Sequence, residues 1–225
     1  MTLNVGLVLP AANTTVESEF LNLLPDAGLV VSRFVPDTSS ADACAAALHG
    51  AATAAGHGAD VIAVCYATGS LLFGPEWDRE LRDTTAESTR RPVVTAASAL
   101  SDGLRHIGAR DVLAVSPYSD EVNAALERWL REARFSVVAV RGSRSGAAPS
   151  RVPASEIEEM VAGANQTGAD AVAVSCTGLR TGAIRRVLAD AAGVPVVTSN
   201  AATAWAVART AGENTSPAVV PESPG

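Results

Sequence analysis

The stretch Gly58-Ala-Asp-Val-Ile-Ala-Val64 returns 110 residues later as Gly168-Ala-Asp-Ala-Val-Ala-Val174. Each copy contains a short continuous apolar run, which is typical of a buried strand in a parallel sheet. Two further pairs of segments recur in the same order at nearly the same spacing: residues 91–95 with 194–198, and 5–10 with 112–117. This ordered repeat predicts two homologous α/β units related by a pseudo-twofold axis.

Between these runs the sequence alternates apolar strand patterns, about eight in all, with helical patterns of ten or more residues, which predicts parallel sheets covered on both faces. We therefore predict an α/β fold with two pseudo-symmetric lobes, each a roughly four-stranded parallel sheet flanked by helices. The first lobe would comprise residues 1–95 plus 199–212, and the second residues 96–198. Residues 213–225, rich in Pro, Ser and Glu, are predicted to form a disordered tail.

Composition excludes several functions. The 225 residues are 48% hydrophobic and carry a net charge of −7. Without a basic block, nucleic-acid binding is not expected. All 17 basic residues are Arg, so lysine Schiff bases and the P-loop lysine are excluded. The three Cys residues lack CxxC or HExxH spacing, which argues against a structural zinc site and a disulfide framework. Neither a signal peptide nor a membrane span is indicated, and we expect a cytoplasmic protein.

The repeat also predicts where a ligand binds. Ligands of open α/β sheets bind outside the carboxyl ends of the strands. Two lobes that face each other would place four loops around one cleft, namely residues 10–14, 67–70, 117–119 and 176–181. We read residues 67–74 as a loop of small residues, and Thr14 and Glu17 as a capping box that starts the first helix.

Cys176 is the candidate catalytic side chain. If one extra residue is allowed in the first lobe, the loop Ala67-Thr68-Gly69-Ser70 aligns with Cys176-Thr177-Gly178-Leu179, and Cys176 is matched by the inert Ala67. A helix predicted over residues 181–192 would follow Cys176 and lower the pKa of its thiol through its N-terminal N–H groups. Cys44 and Cys65 are expected to be packing residues.

Four motifs in order resemble known enzymes. Residues 5–19 (VGLVLPAANTTVESE) are similar to the opening motif of maleate cis-trans isomerases, and 116–123 (SPYSDEVN) to their central tyrosine motif, shared with arylmalonate decarboxylases. Residues 174–181 (VSCTGLRT) and 196–205 (VVTSNAATAW) resemble their second cysteine loop and the segment after it. The resemblance covers about residues 3–212 and lies within the aspartate/glutamate racemase superfamily. It implies two α/β lobes with the active site in the cleft between them, no cofactor and no metal.

The resemblance also implies roles for individual residues. Cys176 matches the second-lobe catalytic cysteine. Asn13 matches a substrate-binding asparagine, and Tyr118 a tyrosine that donates a hydrogen bond to a substrate carboxylate. Thr68, with the backbone of Gly69 and Ser70, matches the loop that cradles a carboxylate. Apart from the resemblance, the Thr-Gly backbone in each loop, which in the second is Thr177-Gly178, offers N–H donors suited to a carboxylate.

The reaction is left open by one departure from the pattern. Racemases and maleate isomerases have a cysteine where this chain is aligned to Ala67, whereas arylmalonate decarboxylases lack it. Racemisation is least expected, because it needs an acid and a base on opposite faces of a carbanion. The motifs favour maleate isomerase-like chemistry on a small dicarboxylate, with Cys176 as nucleophile. Ala67 favours decarboxylation, with Cys176 as proton donor. A non-catalytic dicarboxylate-binding protein is a further alternative, and a homo-oligomer is left open.

Overall fold

Two four-stranded parallel sheets form the centre of the computed structural model, which describes residues 2–213. The first sheet has the order β2-β1-β3-β4 and the second the order β6-β5-β7-β8. The strands are β1 Asn4–Pro10, β2 Gly28–Phe34, β3 Val61–Val64, β4 Val93–Thr95, β5 Asp111–Ser116, β6 Ser136–Gly142, β7 Ala171–Val174 and β8 Val196–Thr198.

Helices follow the strands in both halves. They are α1 Val16–Leu23, α2 Ala41–Gly56, α3 Ala67–Thr89, α4 Ala96–His106, α5 Asp120–Glu132, α6 Ala154–Val161, α7 Arg185–Ala192 and α8 Ser199–Thr210. Short 3₁₀ turns occur at Pro149–Arg151, Ala164–Thr167 and Gly182–Ile184. The predicted α/β fold with two four-stranded parallel sheets is confirmed. The predicted tail, residues 213–225, lies outside the described residues apart from Glu213.

The two halves repeat the same strand register. In the first sheet β1 pairs with β3 from Val5↔Val61 to Val8↔Val64. In the second sheet β5 pairs with β7 in the same way, from Val112 with Ala171 to Val115 with Val174. The repeated sequence therefore forms the equivalent inner strand of each sheet.

A continuous core joins the two sheets. It includes Leu7 of β1 and Ala114 of β5, together with Leu104 of α4 and Val207 of α8, all with 0% exposure. Helices α4 and α8 pack against each other as well as against strands of both sheets. Each fully buried Leu or Val side chain contributes about 1.5–3 kcal/mol. Separating the sheets would expose this shared surface, so the loops at their carboxyl ends keep a fixed relative position.

Helix α3 begins earlier than the sequence suggested. The prediction of a loop over residues 67–74 is wrong, because α3 starts at Ala67 and continues across a kink at Gly74 (φ 90°, ψ 175°) and Pro75. Glycine tolerates positive φ, and proline, which lacks a backbone N–H, suits the first turn of a helix, so this pair ends one helical segment of α3 and starts the next. Thr68, Gly69 and Ser70 are weak helix formers, and here tertiary contacts override their propensity.

One of these contacts is a buried carboxylate. Asp78, on α3 beyond the kink, is 0% exposed. It accepts hydrogen bonds from the hydroxyls of Ser70 (2.6 Å) and Ser98 (2.6 Å). It also forms an ion pair with Arg82 (3.1 Å). It thereby ties the first turn of α3 to the second half of that helix and to α4.

Removal of this carboxylate tests its contribution to stability. We expect Asp78→Ala to lower the free energy of unfolding by about 2 kcal/mol, because the buried hydroxyl of Ser70 and the partly buried hydroxyl of Ser98 lose their acceptor. For a chain of this size, that change lowers Tm by about 4–8 °C in a thermal melt followed by circular dichroism. Glu76→Ala is the control, since the Glu76 side chain is 89% exposed. A loss below about 0.5 kcal/mol, as at ordinary surface sites, would contradict the assignment.

Two further features bear on earlier expectations. No helix within residues 2–213 is both long and apolar enough to cross a membrane. Over the same residues, no group of three or more His, Cys, Asp and Glu side chains is placed to hold a metal ion.

Candidate active site

Loops from the carboxyl ends of both sheets are joined by direct hydrogen bonds. The Thr177 hydroxyl, after β7, donates to the Cys65 carbonyl, after β3, at 2.9 Å. Asn13, after β1, donates through Nδ2 to the same hydroxyl at 3.1 Å, and the Thr15 hydroxyl donates to the Gly178 carbonyl at 2.9 Å. These bonds link residues more than 100 positions apart in sequence and bring the predicted loops together.

Cys176 is the most accessible of the three cysteines. It is half-buried, whereas Cys44 and Cys65 are both 0% exposed. Its backbone has φ 145°, a value that residues with a side chain rarely adopt, and its N–H donates to the Ser199 hydroxyl at 3.2 Å. Strained backbone of this kind persists when the surrounding contacts hold it, and it is frequent at functional sites.

The surroundings of Cys176 favour the neutral form of its thiol. Burial raises the pKa of Cys176 above its ordinary value, and the backbone N–H of Gly178, the Tyr118 hydroxyl and the N–H of Leu179 oppose this effect without overcoming it. The expectation that a helix N-terminus lowers this pKa is wrong. A 3₁₀ turn stands at Gly182–Ile184, and α7 starts only at Arg185, so the residues directly after Cys176 do not form the first turn of a helix.

Tyr118 lies against Cys176 from the loop after β5. Burial, followed by the negative charge that Cys176 would carry, raises the pKa of Tyr118 well above its ordinary value, so its phenol remains a hydrogen-bond donor. Its position is fixed by local bonds. The Tyr118 N–H donates to the Ser116 hydroxyl at 3.2 Å, and Asn123 Nδ2 donates to the Tyr118 carbonyl at 3.1 Å.

The first turn of α3 faces the same loops. The Thr68 hydroxyl interacts with the hydroxyl of Tyr118. The next residue, Gly69, is closely packed against Cys44, since an added Cβ at Gly69 would lie 3.1 Å from the Cys44 sulfur. The Ser70 hydroxyl donates to Asp78 and is therefore engaged within the protein. The first N–H groups of a helix lack intrahelical partners and suit a carboxylate.

Asn13 is held by the protein itself. Its Oδ1 accepts from the N–H groups of Thr15 (2.9 Å) and Val16 (3.2 Å), so Asn13 caps α1. The predicted capping box of Thr14 and Glu17 is therefore wrong, because α1 begins at Val16 and not at Thr15. The Asn13 side chain is 8% exposed and touches the cleft through Thr177.

Comparison with known proteins supports the resemblance noted in the sequence. The family model for arylmalonate decarboxylase matches residues 5–220. The chain belongs to this family. It is 28% identical to arylmalonate decarboxylase from Bordetella bronchiseptica, over 92% of this chain and 90% of that protein. It is 27% identical to maleate isomerase from Pseudomonas putida, over 90% of this chain and 89% of that protein. A crystal structure of arylmalonate decarboxylase superposes with a TM-score of 0.84, at 27% identity, over 96% of each chain. The prediction of an enzyme from the maleate isomerase and arylmalonate decarboxylase branch is confirmed.

The strand register corrects one detail of the arylmalonate decarboxylase-family site. The Cys65 N–H donates to the Val8 carbonyl (2.9 Å), and the Ser175 N–H donates to the Val115 carbonyl (2.8 Å), so Cys65 and Ser175 are equivalent. The next residue in each lobe is Tyr66 or Cys176. The extra residue assumed in the sequence alignment does not exist, and the counterpart of Cys176 is Tyr66, not Ala67.

Tyr66 occupies this position as a half-buried phenol. Its ring packs edge-on against Phe34 with centroids 5.4 Å apart. Burial, together with the nearby Cys44, raises the pKa of Tyr66 to about 12, although the Thr68 hydroxyl lowers it. Sequence reasoning missed Tyr66, but an alignment of the two repeats without a gap would have identified it. It also missed Ser199 and Asn200, which contact the Cys176 loop from α8 and whose counterparts in the first repeat are Ala96 and Ala97.

Proposed function

We propose that this chain decarboxylates a 2-substituted malonate, with Cys176 as the proton donor. The observation that carries the proposal is a half-buried thiol after β7 whose counterpart across the pseudo-twofold axis is Tyr66 rather than a second cysteine. Cys65, the nearest other thiol in sequence, is fully buried, and burial raises its pKa far above the ordinary range. The relative with 28% identity, named arylmalonate decarboxylase, agrees with this choice.

The residues of the site suit each step. One carboxylate of the malonate would accept hydrogen bonds from the Tyr118 hydroxyl and the N–H groups at the first turn of α3. The bond from the α-carbon to the other carboxylate breaks, its electron pair enters the held carboxylate as an enediolate, and CO₂ leaves. Cys176 then transfers its proton to the α-carbon, and water reprotonates the thiolate. Donors placed on a developing oxyanion typically contribute about 10²–10³ in rate each. The balance of this reaction requires no cofactor.

A proton transfer assay in D₂O tests the proposal. NMR would follow phenylmalonate, an alkylmalonate and maleate with the wild type and Cys176→Ala. We expect a monoacid that carries one deuterium at the α-carbon and is enriched in one enantiomer, because a single thiol protonates one face. Absence of malonate turnover would overturn the proposal.

Maleate isomerisation is the second candidate. It is favoured by the 27% identical maleate isomerase and by the Gly178 and Leu179 N–H groups, which would stabilise a Cys176 thiolate. In this reaction the thiolate adds to the double bond, the resulting single bond rotates, and the thiolate leaves. Formation of fumarate in the same assay, without malonate turnover, would establish this candidate.

The pH profile separates the two candidates. Because burial raises the Cys176 pKa, the proton-donating thiol is present below this pKa and is lost as pH rises through it. We therefore expect decarboxylation to be constant from about pH 7 to 8.5, the ordinary thiol pKa, and to fall at higher pH. Alkylation of Cys176 by iodoacetamide, which needs the thiolate, should rise over the same range. A turnover rate that rises in parallel with alkylation would instead indicate a nucleophilic thiolate.

A further inference from the structure

Glu19 is a buried carboxylate of α1 that bonds to the opposite half of the molecule. It is 6% exposed. Its Oε1 accepts from the backbone N–H groups of Thr181 (2.6 Å) and Gly182 (2.8 Å). Its Oε2 accepts from Asn200 Nδ2 (2.7 Å) and the Thr181 hydroxyl (3.3 Å). All of these donors are more than 160 residues away in sequence.

This arrangement does more than pack a helix. Burying a carboxylate is unfavourable unless hydrogen bonds replace its hydration, and charge-assisted bonds to backbone N–H groups are both strong and directional. An apolar side chain would fill the same space at no such penalty. The carboxylate therefore fixes the loop over residues 176–182 relative to α1. Arg185, half-buried at the start of α7, is close enough to Glu19 for their opposite charges to interact.

The contacts of Glu19 continue to Cys176. Asn200 donates to Glu19 and also, at 3.1 Å, to the carbonyl of Thr177, the residue after Cys176. The loop is thus held near its start by Asn200 and by Ser199, which accepts from the Cys176 N–H, and at its end by Glu19. A backbone at φ 145° needs such constraint from its surroundings.

We propose that Glu19 is a positioning residue that holds the Cys176 loop in its reactive geometry from the opposite half of the molecule. The proposal rests on the proposed function, in which Cys176 is the catalytic thiol. Loss of Glu19 would release Thr181, Gly182 and Asn200 together, so the thiol would lose its fixed position relative to a substrate held on α3. A displacement of about 1 Å can lower turnover by about 10²-fold.

The test compares Glu19→Ala, Glu19→Gln and the control Glu17→Ala in the full chain. Glu17 lies on the same helix, but its side chain is 36% exposed and pairs with Arg33 at the surface. We expect Glu19→Ala to lower kcat by about 10²-fold with KM changed by less than about threefold. Glu19→Gln keeps an oxygen for the two backbone N–H groups but places an NH₂ group toward the Asn200 donor. It should therefore recover about tenfold of that loss.

A second readout does not depend on turnover. The rate of Cys176 alkylation by iodoacetamide, measured by mass spectrometry of the labelled peptide, should increase in Glu19→Ala, because the released loop exposes the thiol. If Glu19→Ala does not fold, Glu19→Gln, which conserves volume, supplies both readouts. A lower Tm with unchanged kcat and alkylation would make Glu19 a purely structural residue and overturn the proposal. If Cys176→Ala retains activity, the proposed function fails. The alkylation rate of Cys176 in Glu19→Ala would still show whether Glu19 fixes the loop.

Discussion

Replacing Cys176 by alanine is expected to lower kcat for malonate decarboxylation by about 10³-fold, because general acid catalysis contributes about 10²–10⁴ in rate. The carboxylate cradle remains, so KM should change by less than about threefold. In Cys176→Ser, kcat should fall nearly as far, because a hydroxyl of similar size is a much weaker acid than a thiol. Steady-state kinetics on the malonate that turns over best in the NMR assay measures both variants.

The matched control is Cys65→Ala. Cys65 is 0% exposed, and its contact with the cleft runs through its backbone carbonyl, which the substitution keeps. We expect kcat to stay within about threefold of the wild type and stability to fall modestly from the lost sulfur contacts. A large loss of turnover in Cys65→Ala, with Cys176→Ala active, would reverse the roles assigned to the two thiols.

The repeat made the fold predictable, because strand register is a local property that apolar runs report well. The two GAD segments became the equivalent strands β3 and β7, and the loops after them met as expected. The register also shows why the alignment to Ala67 failed. It matched the dipeptide Thr68-Gly69 to Thr177-Gly178, whereas backbone hydrogen bonds make Tyr66 and Cys176 equivalent. A shared dipeptide is weaker guidance than an uninterrupted strand.

Other features depend on contacts that no local pattern reports. Glu19 is an acidic residue in the first turn of α1, which local sequence explains as favourable at a helix N-terminus, whereas its bonds to the Cys176 loop arise from the way the two halves face each other. The direction of the Cys176 pKa shift depends on how deeply the loop is buried. The early start of α3 depends on the hydrogen bond between Ser70 and the buried Asp78. All three features result from tertiary contacts between residues that are not neighbours in the sequence.

Gly178→Ala is expected to lower kcat by about 10²-fold through a steric effect on the Cys176 loop. A Cβ at Gly178 would lie 2.9 Å from the Cβ of Pro149 and 3.6 Å from the Cys176 sulfur. Carbon atoms in contact lie about 3.5–4.0 Å apart, so Pro149 or the Cys176 loop must move by several tenths of an ångström. The backbone at Gly178 lies outside the positive-φ range, so the strain comes from contact and not from conformation.

The double variant Gly178→Ala with Pro149→Gly isolates this contact, because glycine at position 149 removes the Cβ that clashes. We expect it to recover at least tenfold in kcat, while overpacking in the single variant costs about 1–3 kcal/mol of stability that the double variant partly regains. Gly50→Ala is the control for adding a methyl group, since nothing lies within 4 Å of its Cβ position. Steady-state kinetics and thermal melts of the four proteins provide the comparison. Alanine keeps the backbone N–H of residue 178, so a double variant that is not rescued would show that the loss of turnover does not come from the contact with Pro149, and it would contradict the steric explanation.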